Sequence, residues 1–141
     1  MNITQLLYYS KATPLINEEN LPRILTHAKK KNFDANITGF LAHNSLGEFM
    51  QVIEGPTDVV NLLFSVIKAD CRHVDVRLLS TEEVYTRSFP DWSMAYESTS
   101  ATTLERSVPG FVSRDADVAL AVRLRHAPAH IKTALRKFMN K

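Results

Sequence analysis

Residues 37–54 read ITGFLAHNSLGEFMQVIE, and this stretch decides the fold. Two runs rich in apolar residues, Ile37 to His43 and Glu48 to Glu54, flank Asn44-Ser45-Leu46-Gly47. Small polar residues and a glycine suit a hairpin loop, so the segment is expected to be two antiparallel strands. Working outward, Thr57 is a good helix cap and Asp58 favours the positive end of a helix. Val59, Val60, Leu62, Leu63, Val66 and Ile67 give that helix a broad apolar face, which predicts a well-buried element. Upstream, Leu21, Ile24, Leu25 and Ala28 recur at helical spacing, with Pro22 tolerated in the first turn and Asn32 near the end.

Ile3 to Ser10 reads as a strand closed by the Lys11-Ala12-Thr13-Pro14 turn. Val74 to Val84 and Asp91 to Glu97 read as two more, connected through Tyr85 to Pro90. The order βαββαββ is that of an α+β, ferredoxin-like sandwich with a five-stranded sheet and two helices on one face. A Ser/Thr-rich stretch then runs to Pro109-Gly110, and Asp115 to His126 and Pro128 to Met139 read as helices. We therefore expect a domain over residues 1–97 and a linker with a two-helix extension over 98–141. No internal repeat or low-complexity segment interrupts this plan.

The 141 residues are 45% hydrophobic and 23% charged, the mixture of an ordinary globular chain. No apolar run approaches the roughly 18 residues that would span a bilayer, and the start lacks a basic region followed by a cleavable apolar segment. A cytoplasmic protein is expected, with no membrane contact. The single cysteine, Cys71, excludes an internal disulfide. Residues 1–97 carry 9 Lys and Arg against 12 Asp and Glu, whereas residues 98–141 carry 8 against 3. That basic excess is spread over more than forty positions and reads as a solvated helix face, so nucleic-acid binding is not expected.

The two-residue alternation of a strand puts Phe49, Gln51 and Ile53 on one face, a primary amide among large apolar neighbours. An unpaired buried amide would cost on the order of 1 to 3 kcal/mol, so Gln51 needs a partner. Leu6 and Tyr8 share a face of the first strand, and the first and third strands are neighbours in a ferredoxin-like sheet. Tyr8 and Gln51 are expected to meet.

Four spaced motifs give the pair a wider setting: Leu7-Tyr8-Tyr9-Ser10; Asn32 with Asn36-Ile37-Thr38-Gly39; Gln51-Val52-Ile53-Glu54-Gly55; and Trp92-Ser93-Met94. Together, over about residues 2–97, they resemble the BLUF family of flavin-binding blue-light photoreceptors. The resemblance implies that Tyr8 donates an electron and then a proton to photoexcited flavin, and that Gln51 is an amide switch between tyrosine and flavin. It places Asn32 on the pyrimidine end of the ring, a residue that could otherwise be a helix C-terminal cap. Ile24 and Ile67 would sandwich the ring, and Arg72 and His73 would lie near the ribityl and phosphate groups. Lys31, where relatives often carry an uncharged polar residue, would touch phosphate. Ser10, Trp92 and Met94 would relay the change to the last strand and the C-terminal helices. The implied cofactor is FAD, with FMN or riboflavin as alternatives, held without a covalent bond.

An enzyme is not expected. Leu7 to Pro14 lacks the glycine-rich phosphate loop and following arginine of acylphosphatase-like hydrolases. Glu48 to Glu54 lacks the basic, glycine and aromatic pattern of an RNA-stacking strand. Glu82-Glu83 reads as a solvated strand end. His126 and His130 are spaced by four but separated by Pro128 and unaccompanied by other ligands, so no metal site is expected. Output would run through a downstream protein partner or a homo-oligomer, for which Val118, Leu120, Val122 and Leu124 offer apolar surface. The alternative is a light-insensitive flavin-binding or ligand-free interaction module.

Overall fold

A computed structural model describes residues 3–44, 46–91, 95–98 (backbone) and 124–139. The strands are β1 (Ile3–Ala12), β2 (Thr38–His43), β3 (Glu48–Pro56), β4 (His73–Val84) and the short β5 (Ala95–Ser98). The helices are α1 (Leu21–Asp34), α2 (Thr57–Ala69) and α3 (Ala129–Met139). The sheet runs β4-β1-β3-β2-β5; its first four strands are antiparallel, and β5 lies parallel to β2.

The hairpin forms where expected. Gly47 takes φ 76°, and Asn44 Oδ1 accepts the backbone N–H of Leu46 at 3.0 Å and of Glu48 at 3.1 Å. α1 carries Pro22 in its first turn, and the left-handed residue beyond its end is Asn36, at φ 61°. Asn32 is therefore not the cap: it lies inside the last turn, buried. Thr57 does not cap α2 either, because its hydroxyl pairs with Thr4 Oγ1 at 2.7 Å.

Nor is α2 buried all along its apolar face. Only the stripe of Val59, Val60, Leu63, Phe64 and Ile67 meets the sheet, because six apolar positions spread over more of the helix circumference than one sheet face can cover. Leu62 and Val66 remain 68% and 58% exposed. Of the expected strand over Asp91 to Glu97, Asp91 is in a turn and Ala95–Ser98 forms β5; Trp92, Ser93 and Met94 lie outside the described residues. So do residues 115–123 of the expected C-terminal helices; Leu124 to His126 form a turn, and Pro128 precedes α3.

Strand alternation divides the chain into two cores. On one face Leu6, Tyr8, Leu41, Phe49 and Ile53 pack against Leu21 and Leu25 of α1 and Val60 and Phe64 of α2. On the other Leu7, Phe40, Ala42, Met50 and Val52 pack against Phe89 and against Ile131, Leu135 and Phe138 of α3. Each fully buried large apolar side chain contributes roughly 1.5 to 3 kcal/mol.

Polar groups lock the segment after β4 onto the second face. The Glu54 carboxyl group, fully buried, accepts the backbone N–H of Ser88 at 2.9 Å and of Phe89 at 2.8 Å. It also accepts Gln5 Nε2 at 3.1 Å and the Thr38 hydroxyl at 2.8 Å. Arg87 donates to Thr38 Oγ1 and to the carbonyl oxygens of Glu54 and Asn36. Beside it, Gly55 permits close approach: a Cβ there would lie 2.9 Å from the Asn36 carbonyl oxygen and from Ile37 Cδ1.

Candidate functional site

The first core does not close completely. Between the sheet and helices α1 and α2 lies a cavity of about 610 Å³. Its walls are apolar, formed by Ile24, Leu25 and Ala28 of α1 and by Leu63, Val66 and Ile67 of α2. Buried polar groups stand at its floor, namely Tyr8, Ser10 and Asn32, with half-buried Gln51 beside them. Exposed charged or basic side chains, Arg23, His27, Lys31 and Arg72, ring its mouth.

Tyr8 and Gln51 are direct partners in the β1–β3 ladder, and the Tyr8 hydroxyl donates to Gln51 Oε1. The Tyr8 ring lies 5.5 Å from that of Phe64 at 49°. Burial, and secondarily the Asp70 charge, raise the Tyr8 pKa well above the ordinary range of a phenol. Tyr8 is thus a protonated phenol at neutral pH. Ser10, fully buried, lies 3.1 Å from His73 Nδ1, and burial lowers the His73 pKa, which favours the neutral imidazole.

Arg72 is held by its neighbour: Nη2 donates to Asp70 Oδ2 at 2.6 Å, and Nε to both Asp70 oxygens at 3.1 and 3.0 Å. That guanidinium in turn holds the Asp70 carboxyl below the usual carboxylate range. Tyr8, Ser10, Ile24, Lys31, Asn32, Gln51, Ile67, Arg72 and His73 all border this one cavity. Trp92 and Met94 lie outside the described residues.

Sequence reasoning passed over Phe64 and Asp70. Phe64 was legible as the residue four beyond Val60 on the buried stripe of α2. Asp70 carried the weaker signal of an acid two residues before an arginine, just past a helix end. Among the described residues no group of His, Cys, Asp and Glu could hold a metal, and no helix is long and apolar enough to cross a membrane.

A flat ring system with a hydrogen-bonding edge and an anionic tail fits this cavity: apolar walls for the ring, buried hydroxyl and amide groups for its edge, and cations where a tail would emerge. These are the demands of a flavin.

Comparison with known proteins bears on the same point. Residues 3–95 match the family model described as sensors of blue light using FAD. A photoactivated adenylate cyclase subunit beta from Euglena gracilis is 37% identical over 101 residues, which are 71% of this chain and 11% of that protein. The blue light- and temperature-regulated antirepressor BluF of Escherichia coli is 26% identical over 87 residues, 62% of this chain and 21% of the other. The chain thus spans about a tenth of the length of the cyclase subunit.

Among solved structures, BlrB, a BLUF protein in its dark state, superposes with a TM-score of 0.68 at 31% identity, covering 89% of this chain and 96% of that one. Klebsiella pneumoniae BlrP1 with FMN and cyclic diGMP gives 0.76 at 30% identity, covering 99% of this chain and 35% of that one. The chain belongs to the BLUF family of flavin-binding blue-light sensors.

Proposed function

We propose that this chain is a blue-light switch in which Tyr8 is the electron and proton donor and Gln51 the element that changes state. The observation that carries the reading is the hydrogen bond from the Tyr8 hydroxyl to Gln51 Oε1 at the floor of the cavity. Bound flavin supplies light absorption and one-electron oxidising power. Tyr8 keeps its proton at rest because burial disfavours the phenolate. Loss of an electron makes the phenol strongly acidic, and Gln51 Oε1 is the acceptor already in place. An amide has a donor end and an acceptor end, so once Tyr8 ceases to donate, Gln51 can rotate or tautomerise and present different atoms to its neighbours.

Asn32 is the residue to hold the ring edge, Ile24 and Ile67 the residues to clasp its faces, and Lys31, Arg72 and His73 those to meet the ribityl and phosphate groups. FAD is the proposed flavin, because Arg23 and Lys31 add cations at the mouth beyond what one phosphate requires. BlrP1 was solved with FMN, so the chromophore released by denaturation and identified by mass is the deciding measurement. Ser10, Trp92 and Met94 are proposed as the relay to the C-terminal helices, acting on a downstream protein or a second copy in the cytoplasm.

The test is the visible spectrum of the purified protein in the dark, under blue light and during recovery. A flavin band that shifts reversibly to longer wavelength, and fails to shift in Tyr8→Phe and Gln51→Leu, is the expected result. Flavin without a shift would identify a light-insensitive flavoprotein; no flavin after reconstitution would identify an interaction module.

A further inference from the structure

A second phenol stands directly behind Tyr8. Tyr9 follows it on β1, with Cα atoms about 3.8 Å apart, and its side chain leaves the opposite face of the sheet. Its hydroxyl donates to Glu48 Oε2. The carboxylate is fixed in place, since its Oε1 accepts Asn44 Nδ2 at 2.8 Å. The Arg77 guanidinium sits 5.7 Å from the Tyr9 ring centroid, itself tied to Asp75 at 2.9 and 2.8 Å.

The two tyrosines therefore differ in what receives their proton. Tyr8 donates to an amide oxygen, a very weak base; Tyr9 donates to a carboxylate, a far stronger one. Arg77 and its partner Asp75 act on the Tyr9 ring with opposite sign and largely offset each other, so the Glu48 carboxylate is what distinguishes this phenol. An oxidised phenol is strongly acidic, and Tyr9 yields an electron most readily when its proton leaves in the same step. Glu48 is positioned to take that proton.

We propose that Tyr9 and Glu48 form a redox pair that returns an electron to oxidised Tyr8, in competition with proton loss from Tyr8 toward Gln51. This rests on the reading of Tyr8 as donor to photoexcited flavin. One electron passes from Tyr9 to the Tyr8 radical cation, which becomes neutral phenol with its O–H bond intact. The Tyr9 O–H bond breaks and an O–H bond forms on Glu48 Oε2. The products are a neutral Tyr9 phenoxyl radical and a neutral Glu48 carboxyl group; one electron and one proton have moved, and total charge is conserved. An excitation that takes this branch leaves Gln51 unswitched, so Tyr9 and Glu48 set the fraction of absorbed photons that produce the signalling change.

The experiment uses flavin-loaded full chain, labelled with carbon-13 in its glutamate side chains. Infrared difference spectra after a blue flash would follow a protonated carboxyl band, and steady illumination would give the yield of the shifted flavin spectrum. Wild type is expected to show a transient protonated-glutamate band that is lost in Tyr9→Phe and in the isosteric Glu48→Gln, while the yield of the shift rises in both. Tyr8→Phe, which removes the relay, is expected to lose the band as well. A band absent from shifting wild type, a band that survives Tyr8→Phe, or a yield unchanged in both Tyr9→Phe and Glu48→Gln would overturn the pair. A wild type that binds flavin without any shift would instead overturn the photoreceptor reading beneath it.

Discussion

Tyr8 owes its environment to neighbours on three segments: Gln51 on β3 accepts its hydrogen bond, Phe64 on α2 packs against its ring, and the Asp70 charge beyond α2 adds to the burial that keeps it protonated. His43, at the end of β2, shows the same burial acting on a base. Its imidazole lies 4.7 Å from the Phe49 ring, and burial lowers its pKa from 6.5 to about 4. Because the folded value lies below the unfolded one, the unfolded chain takes up a proton first as pH falls from 6.5 toward 4, and stability is lost across that window. Urea unfolding at pH 7 and pH 5 should show a decrease of about 2 kcal/mol from this group, removed in His43→Gln. Tyr8 and Gln51 were legible as residues because strand alternation fixes which face each occupies. Asp70 was not, since its electrostatic effect on Tyr8 depends on how α2 lies over the sheet, which local spacing does not encode.

The connection between β4 and β5 shows how one side chain can organise a whole segment. Ser88 and Phe89 have backbone donors that no strand partner satisfies, and the Glu54 carboxyl group receives both. Glu54→Ala would strand these two backbone donors, at about 1 to 3 kcal/mol for each group left unpaired in the interior, while Gln5 Nε2 would keep Ser88 Oγ and the Thr38 hydroxyl would keep Arg87. The expected result is a loss of roughly 3 kcal/mol or more in chemical denaturation, with accelerated amide exchange at Ser88 and Phe89. The motif Gln51-Val52-Ile53-Glu54-Gly55 was visible, and alternation put Glu54 on the face opposite Gln51, yet nothing in it signalled that Glu54 is buried there, because a charged residue near a strand end ordinarily faces solvent. The places of β2, β3 and α1 were readable from turn chemistry and periodicity, although β3 runs two residues past Glu54 to Pro56 and α1 extends to Asp34. The partial burial of α2 was not, because an apolar face wider than its contact looks the same in sequence as one fully covered.

The sheet is a wall shared by two cores, and α3 closes the second of them. Ile131, Leu135 and Phe138 are at most 1% exposed. Their burial is worth on the order of 6 kcal/mol together, comparable to the whole stability of a small domain. A fragment of residues 1–97 would keep Phe89 but lose Ile131, Leu135 and Phe138 from the face that carries Leu7, Phe40, Met50 and Val52. Its expected behaviour is aggregation or non-cooperative melting with increased binding of a hydrophobic dye, whereas the full chain melts cooperatively; a soluble, cooperatively folding fragment would show that the sheet stands without α3. The sequence contained both halves of this arrangement, since alternate residues of β1 to β3 are apolar on both faces, but not which helix each face would meet.

The two faces of β3 also constrain how this protein can diverge. Gln51 belongs to one chamber and Val52 to the other, so the strand is read like a two-letter frame in which odd and even positions carry separate messages. A single inserted or deleted residue between Gln51 and Glu54 would bring the two onto one face, so that either Gln51 turns toward α3 or Glu54 turns toward the cavity, and no register keeps both in place. Substitutions can accumulate along this strand one at a time, while changes of length within it are tolerated only in steps that preserve the frame.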